Sequence, residues 1–371
     1  MQNACDYRTM KDPEQWADVG ERVRECRVAA GLSQEDLARA LSLDRTMIAK
    51  IEIGVRRVDA LELLRLSDVL DIPLDFLVST PPAVISRRVQ LTEDTATDAG
   101  RNAFRLQVAL TAWAADIRQL IDLGVLSPPP VVDYSSPIQR TSDAREAARW
   151  VRQRLGLNAR PIESLIAVCE EMGQLIAVVD LPGDGASMIE GDVAAAVVSR
   201  QGDPGRRRAT AAHELGHLII GDEYSSDIGI SASRSDRETV IDAFAAELLV
   251  PIAAYEGMSR DSIREGLMKV AAHYRASWSL VIRQATEAGF LDREQVTNLR
   301  RRTPTRAELL EAVGWAPQPD LESIRVSPRY AHAVLEAYRR QLVTASRAVE
   351  MMRGHLTEED LPLRDDGDSV L

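Results

Sequence analysis

The sequence predicts a mainly α-helical, multidomain protein, with a five-helix bundle at the N-terminus, a small α+β domain in the middle and a helical region at the C-terminus. Three observations support this prediction. A chain of 371 residues is long enough for two or three domains, at about 100–200 residues each. Apolar residues recur at helical spacing along most of its length. The run Pro128-Pro129-Pro130 is typical of a linker between two halves.

The composition excludes several classes of protein. The hydrophobic fraction is 45% and the charged fraction is 27%, as in ordinary globular domains, and no run approaches the roughly 20 apolar residues of a membrane helix. The three cysteines are widely spaced, which argues against a disulfide framework or a thiolate zinc site. The first residues lack the layout of a secretory signal, so we expect a cytoplasmic protein with no membrane partner. The net charge of −12 argues against non-specific coating of nucleic acid, but it permits a local basic face.

Short helices with tight connections fill residues 20–80. The first helix is predicted over 22–30, and Gly31 ends it as a C-terminal glycine does. Ser33 begins the second helix as an N-cap, with an acidic residue three positions on. A three-residue turn leads into a third helix over 45–52. The predicted core includes Ile48, Ile51, Leu61, Leu64, Leu66 and Leu70.

The outward face of the third helix is polar and partly basic, and two short helices crossed by a tight turn can lay such a face in a major groove. The segments 31–38 and 48–54 resemble the signatures of the Xre-type, Cro/lambda-repressor-like helix-turn-helix family. The resemblance implies a double-stranded DNA operator as partner, and we expect binding as a homodimer. It implies contacts to base edges or phosphates from Gln34, Arg45, Thr46, Met47 and Lys50, and to backbone phosphate from Arg56 and Arg57. The alternative is a helical interaction module that does not bind DNA.

The middle of the chain combines helices with two strands. Helical spacing is present over 92–123, and two further helices are predicted near 142–156 and 161–172. Apolar runs at 174–180 and 192–199 are the only convincing strands. The remainder is predicted to be helical from about residue 207 to 301, with one more long helix over 328–354.

The segment His213-Glu-Leu-Gly-His217 suggests a metal site. Its two histidines are four residues apart, so both imidazoles lie on one face of a helix and can reach one zinc ion. Glu214 is placed where a carboxylate can hold a water molecule beside the metal. The alternative is a zinc site that stabilises the fold without catalysis.

The remaining histidines are not clustered, so the third protein ligand is predicted to be a carboxylate. Glu238 and Asp242 are four residues apart on one helical face. Glu238 can therefore ligate while Asp242 accepts a hydrogen bond from a ligand imidazole. Glu247 competes with Glu238, but nine residues at about 100° each place the two on opposite faces. We favour Glu238.

The segments 208–217 and 238–251 resemble the ImmA/IrrE family of metallopeptidases, over roughly residues 142–255. Two positions depart from that family's pattern: Ala209 replaces an aromatic residue and Asp242 replaces an asparagine. The resemblance implies cleavage of a partner, typically a helix-turn-helix repressor, with Zn²⁺ held by His213, His217 and Glu238. Glu214 would act as the general base, and Tyr224 is a candidate oxyanion partner.

The predicted order of domains is an N-terminal arm (1–19), a helix-turn-helix domain (20–80), a helical linker with a proline-rich end (81–141), a zincin-like metallopeptidase domain (142–255), a helix-turn-helix-like bundle (256–301) and a C-terminal helix with an acidic tail (302–371). We expect a DNA-binding transcriptional regulator whose peptidase domain relieves repression in a stress or prophage switch, by proteolysis of itself or of a partner repressor. The alternative is a non-proteolytic helix-turn-helix regulator or antitoxin in which the metal site is structural or vestigial.

Overall fold

A computed structural model describes residues 16–78, 84–87, 97–221, 231–314, 321 and 325–363. The chain divides into two compact units, which are described separately. Unit 1 comprises Met1–Ala83 and Arg87–Ala112, and unit 2 comprises Val84–Ser86 and Trp113–Leu371. The prediction of a mainly helical chain with an N-terminal bundle and a small α+β region is confirmed. The predicted domain boundaries stay a prediction.

Unit 1 is a bundle of short helices around one apolar core. Its helices are α1 (Trp16–Ala29), α2 (Gln34–Leu41), α3 (Arg45–Glu52), α4 (Ala60–Leu70), α5 (Leu74–Val78) and the first part of α6 (Asp98–Asp122). The side chain of Ser33 accepts a hydrogen bond from the Asp36 amide in a capping box, as predicted. Gly20 in α1 lets α1 and α3 approach closely, since a Cβ there would lie 2.2 Å from the Ile51 carbonyl oxygen.

Two predictions for unit 1 are wrong. The first helix begins at Trp16, whereas it was predicted to begin at residue 22. Val19 lies one turn before Val23 on the same buried face, and burial of that face extends the helix. Leu61 and Leu64 were expected in the core, but they are 66% and 49% exposed. They lie on the face of α4 opposite its buried leucines, because the helix rotates by about 100° per residue.

Unit 2 contains a sheet covered by helices. Its strands are β1 (Val84–Arg87), β2 (Gln174–Val179), β3 (Gly185–Glu190) and β4 (Val193–Ser199), in the spatial order β1-β3-β4-β2. Strand β2 pairs with β4 in parallel, and β3 pairs with β4 in an antiparallel register that places Ser187 opposite Ala196. The two predicted strands are confirmed as β2 and β4, but they are not the only ones. Strand β3 escaped prediction because it begins with glycine and has a serine at its centre.

Unit 2 has a series of helices, and those within residues 141–300 share one extended apolar core. The series comprises α7 (Thr141–Arg154), α8 (Leu165–Glu171), α9 (Pro204–Ile220), α10 (Ser231–Leu249), α11 (Ile263–Tyr274), α12 (Trp278–Glu287), α13 (Arg293–Arg300), α14 (Arg306–Val313), α15 (Pro328–Arg339) and α16 (Ala345–Met351), with 3₁₀ turns at Ile252–Tyr255 and Glu358–Asp360. Helices α9 and α10 pack against each other, and α9 also packs on β3 and β4.

The predicted single helix over 328–354 is two helices in the structure. The chain turns after α15 at Gln341, which has a left-handed φ of 60°, and the side chain of Thr344 then caps α16. Just before α15, the Val178 amide donates to the Arg325 carbonyl, and the Ser327 amide donates to the Ile176 carbonyl. This C-terminal segment therefore continues the hydrogen bonding at the β2 edge of the sheet.

Candidate metal centre and nucleic-acid interface

Helix α9 carries both histidines of the predicted metal site. It begins at Asp203, whose side chain accepts from the Arg206 amide, and ends at Gly221 in a left-handed conformation. His213, Glu214 and His217 are all buried. Three ionisable side chains are rarely buried together unless they are paired with one another or bind the same ligand.

A glycine inside the histidine motif sets the distance between α9 and α10. A Cβ at Gly216 would lie 3.0 Å from Ile241 Cγ2 and 3.1 Å from Phe244 Cδ1. The missing side chain lets α10 lie directly against the histidine helix, and this places Glu238 beside the imidazoles.

The atoms offered by His213, His217 and Glu238 lie within 4.8 Å of one another, and no other such group is found among the described residues. The two histidine Nε2 atoms are 3.1 Å apart, and His213 Nε2 is 3.2 Å from Glu238 Oε2. Ligand atoms at the corners of a tetrahedral zinc site are about 3.3 Å apart, given zinc–nitrogen bonds of roughly 2.0–2.1 Å. Two nitrogens and one oxygen at this spacing fit the set of donor atoms that zinc takes in proteins.

Asp242 lies one turn after Glu238 and contacts the other nitrogen of the first histidine. Its Oδ1 is 2.9 Å from His213 Nδ1. A carboxylate at Nδ1 favours the tautomer with the proton on Nδ1, and Nε2 then presents its lone pair to a metal. The predicted pairing of Asp242 with a ligand imidazole therefore has the geometry it needs.

Glu247, the alternative third ligand, is buried elsewhere in unit 2. Its carboxylate accepts hydrogen bonds from the Ile252 amide and from Gln284 Nε2. Burial raises the pKa of this carboxyl, although the Ile252 amide and nearby arginines oppose the shift. The structure does not bring Glu247 to the histidines.

The carboxylate of Glu214 is held by a residue that the sequence did not indicate. Ser187 Oγ on β3 donates to Glu214 Oε2 at 2.8 Å. Gln174 Nε2, at the start of β2, donates to the Glu214 carbonyl oxygen at 3.1 Å. A single serine in a short strand forms no recognisable sequence pattern. Only the packing of β3 against α9 shows that this serine contacts Glu214. Tyr224, the predicted oxyanion partner, lies outside the described residues.

The exposed face of α3 carries the four side chains predicted to meet DNA from that helix. Ile48 and Ile51 are buried beneath it. The outward residues are Arg45, Thr46, Met47 and Lys50. Arg57 is also exposed, so this predicted contact also lies at the surface.

Two other predicted DNA contacts are engaged within the protein. Gln34 Nε2 donates to Glu52 Oε2 at 2.8 Å, and Glu52 also pairs with Arg27. Arg56 donates to both carboxylate oxygens of Glu62, at 2.6 and 2.9 Å. The hydrogen bond from Arg56 lowers the pKa of Glu62, so this pair is ionised at neutral pH.

Comparisons with known proteins address both regions. A family profile described as helix-turn-helix matches residues 23–77. A transcriptional regulator in the ATPase CF(0) region of Rhodospirillum rubrum is 40% identical over 74 residues, which are 20% of this chain and 67% of the relative. The chain belongs to the helix-turn-helix family. The SPβ prophage-derived HTH-type transcriptional regulator YonR of Bacillus subtilis is 39% identical over 59 residues, 16% of this chain and 55% of the relative.

An HTH-type transcriptional regulator of Rhizobium meliloti is 38% identical over 64 residues, 17% of this chain and 46% of the relative. This helix-turn-helix protein therefore spans about half the length of the Bacillus and Rhizobium relatives. A second profile, described as the IrrE N-terminal-like domain of the M78 peptidases, matches residues 197–286, from β4 to α12. The M78 family is metal-dependent. No solved structure matches the chain. Within the described part of the chain, every helix is too short or too polar to cross a membrane.

Proposed function

We propose that this protein is a DNA-binding transcriptional regulator whose IrrE-like domain is a zinc-dependent endopeptidase. The observation that carries the proposal is the placement of Glu214, fully buried and next to His213 in a cluster with zinc-ligand spacing. A zinc site that only stabilises the fold needs its ligands but has no use for a buried carboxylate beside them. Cleavage of the protein itself or of a helix-turn-helix repressor would end repression at the operator.

The chemistry follows from the side chains at the site. Zinc, when bound by His213, His217 and Glu238, supplies Lewis acidity that acidifies water and polarises a peptide carbonyl. Asp242 holds His213 in the ligating tautomer. Glu214 takes the proton from the attacking water and passes it to the leaving amine.

The surface of unit 1 supports the DNA-binding part of the proposal. Arg45 and Lys50 extend from the exposed side of α3, where a recognition helix contacts base edges and phosphates. We propose a double-stranded operator as the ligand and a homodimer as the binding species, since helix-turn-helix proteins commonly read two half-sites about one helical turn apart.

One feature favours the protein itself as a substrate. Strand β1 (Val84–Arg87) belongs to the predicted linker and lies beside β3 in the sheet. Adjacent strands are about 4.8 Å apart, and β3 carries Ser187, which contacts Glu214. A length of linker backbone therefore runs next to β3, the strand whose serine contacts the proposed base.

The test begins with zinc content per chain in the purified protein. We expect about one zinc ion in the wild type and loss of that ion in His213→Ala and Glu238→Ala. Glu247→Gln is the matched control, because it changes a buried glutamate of the same helix and should retain zinc. If Glu238→Ala retained zinc and Glu247→Gln lost it, the third ligand would be Glu247 and not Glu238.

A second experiment separates the peptidase from a non-proteolytic regulator with a structural metal. Zinc-loaded wild type and Glu214→Gln are incubated with a proteome-derived peptide library, and new termini, including those of the protein itself, are identified by mass spectrometry. We expect Glu214→Gln to keep zinc and DNA binding and to lose cleavage. Cleavage unchanged in Glu214→Gln, or absent from the zinc-loaded wild type, would favour the structural or vestigial site.

A further inference from the structure

The contact between Ser187 and Glu214 joins two side chains that are both removed from solvent. Ser187 is 3% exposed and Glu214 is 0% exposed. Ser187 Oγ donates to Oε2, whereas Oε1 of the same carboxylate has no hydrogen-bond partner among the described residues. A buried carboxylate oxygen without a donor is costly, so such an atom calls for an explanation.

Strand β3 shapes the space around both oxygens. Gly185 and Ser187 are two residues apart and face the same side of the sheet, towards α9. A Cβ at Gly185 would lie 2.7 Å from Thr210 Cγ2 and 3.2 Å from Glu214 Oε1. The glycine lets β3 approach the helix, and the serine then donates to one carboxylate oxygen, while the other stays buried without a hydrogen-bond partner among the described residues.

We propose that Ser187 is a positioning residue for Glu214, and this inference rests on the proposed peptidase function. Its hydroxyl engages Oε2 and fixes the rotation of the carboxylate, so that Oε1 receives the proton of the attacking water. Without this hydrogen bond, the carboxylate rotates between orientations, and the base spends less time in the one that accepts the proton. A displacement of about 1 Å at a reacting group can cost on the order of 100-fold in rate.

The experiment compares Ser187→Ala with Ser199→Ala in the full-length, zinc-loaded protein. Ser199 is a matched control, because it is a buried serine in the neighbouring strand whose hydroxyl donates to the Leu181 carbonyl at 2.5 Å. The substrate is one peptide that the wild type cleaves in the library experiment. With it, we expect Ser187→Ala to keep its zinc and its KM and to lose about 10-fold or more in kcat, because the base acts in the transition state. Ser187→Thr restores a hydroxyl and should recover part of the lost kcat.

A double-mutant cycle supplies a readout that does not depend on turnover. Glu214→Met removes the hydrogen-bond acceptor but keeps an unbranched side chain of similar length. We expect Ser187→Ala to lower the melting temperature of unit 2 by about 4–8 °C in the wild-type background. In the Glu214→Met background the same substitution should cause little or no shift.

Equal melting shifts in the two backgrounds, or a kcat for Ser187→Ala equal to that of Ser199→Ala, would overturn the positioning role. The proposed function fails in a different way, through absence of cleavage by the zinc-loaded wild type. In that case the cycle would report only a structural hydrogen bond, and the positioning role of Ser187 would be withdrawn with it.

Discussion

Removal of the Asp242 carboxylate should weaken zinc binding without removing a ligand. The perturbation is Asp242→Ala, which deletes the acceptor 2.9 Å from His213 Nδ1. Loss of such an outer partner typically costs 10- to 100-fold in metal affinity, or about 1.4–2.7 kcal/mol. The Asp242 side chain is 45% exposed, so water can replace part of the lost hydrogen bond. We therefore expect a loss near the lower limit, about tenfold.

The assay is a competition titration of zinc against a chromophoric chelator, for the wild type and three variants. Asp242→Asn retains an acceptor oxygen and should bind zinc nearly as well as the wild type. Asp236→Ala removes an exposed aspartate from the same helix and controls for the change in local charge. Wild-type affinity in Asp242→Ala, or an equal loss in Asp236→Ala, would refute the orientation of His213 by Asp242.

Three further predictions concern unit 1 and the buried glutamate. Ser33→Ala should lower the free energy of unfolding of unit 1 by about 1 kcal/mol in urea titrations, whereas Asp44→Ala should cost less, because the Asp44 side chain makes no capping hydrogen bond. Arg57→Ala should reduce the slope of log affinity against log salt by about 0.9 on operator DNA. Arg56→Ala should reduce this slope by less, since a carboxylate already pairs with that guanidinium. Equal slopes in the Arg56→Ala and Arg57→Ala variants would contradict this. Burial holds the pKa of Glu247 above its ordinary 4.5, so the associated stability is fully present below pH 4.5 and declines as pH rises through the folded-state pKa. Glu247→Gln should lack this decline when unfolding is measured across pH, and an unchanged pH dependence would argue against the burial penalty.

Local signals predicted much of this protein. The capping box at Ser33 and the pair of inward isoleucines in α3 depend on spacing within one or two helical turns, and both were found as predicted. The histidine helix was likewise visible in the sequence, because its motif and its terminal Gly221 lie within one element. Signals of this kind require no knowledge of what the helix packs against.

Errors arose where packing partners decide the outcome. Leu61 and Leu64 fit an apolar pattern, but only one face of α4 meets the bundle, so these two remain exposed. The segment 328–354 was predicted to be one continuous helix. Gln341 interrupts it with a left-handed conformation that a helical hydrophobic pattern does not reveal. Ser187 is a further case, because its contact with Glu214 depends on the pairing of β3 with β4 and on the packing of α9 on that sheet.

The choice between Glu238 and Glu247 shows how one small residue can decide a site. Helical rotation established that only one of these carboxylates can face the histidines, but it could not determine the rotation of α10 about its axis. Gly216 determines it, because Ile241 and Phe244 pack against the place where its Cβ would be. These two side chains fix which face of α10 meets α9, and Glu238, one helical turn before Ile241, lies on that face. The glycine inside the histidine motif therefore helps to decide which carboxylate of α10 lies beside the two histidines.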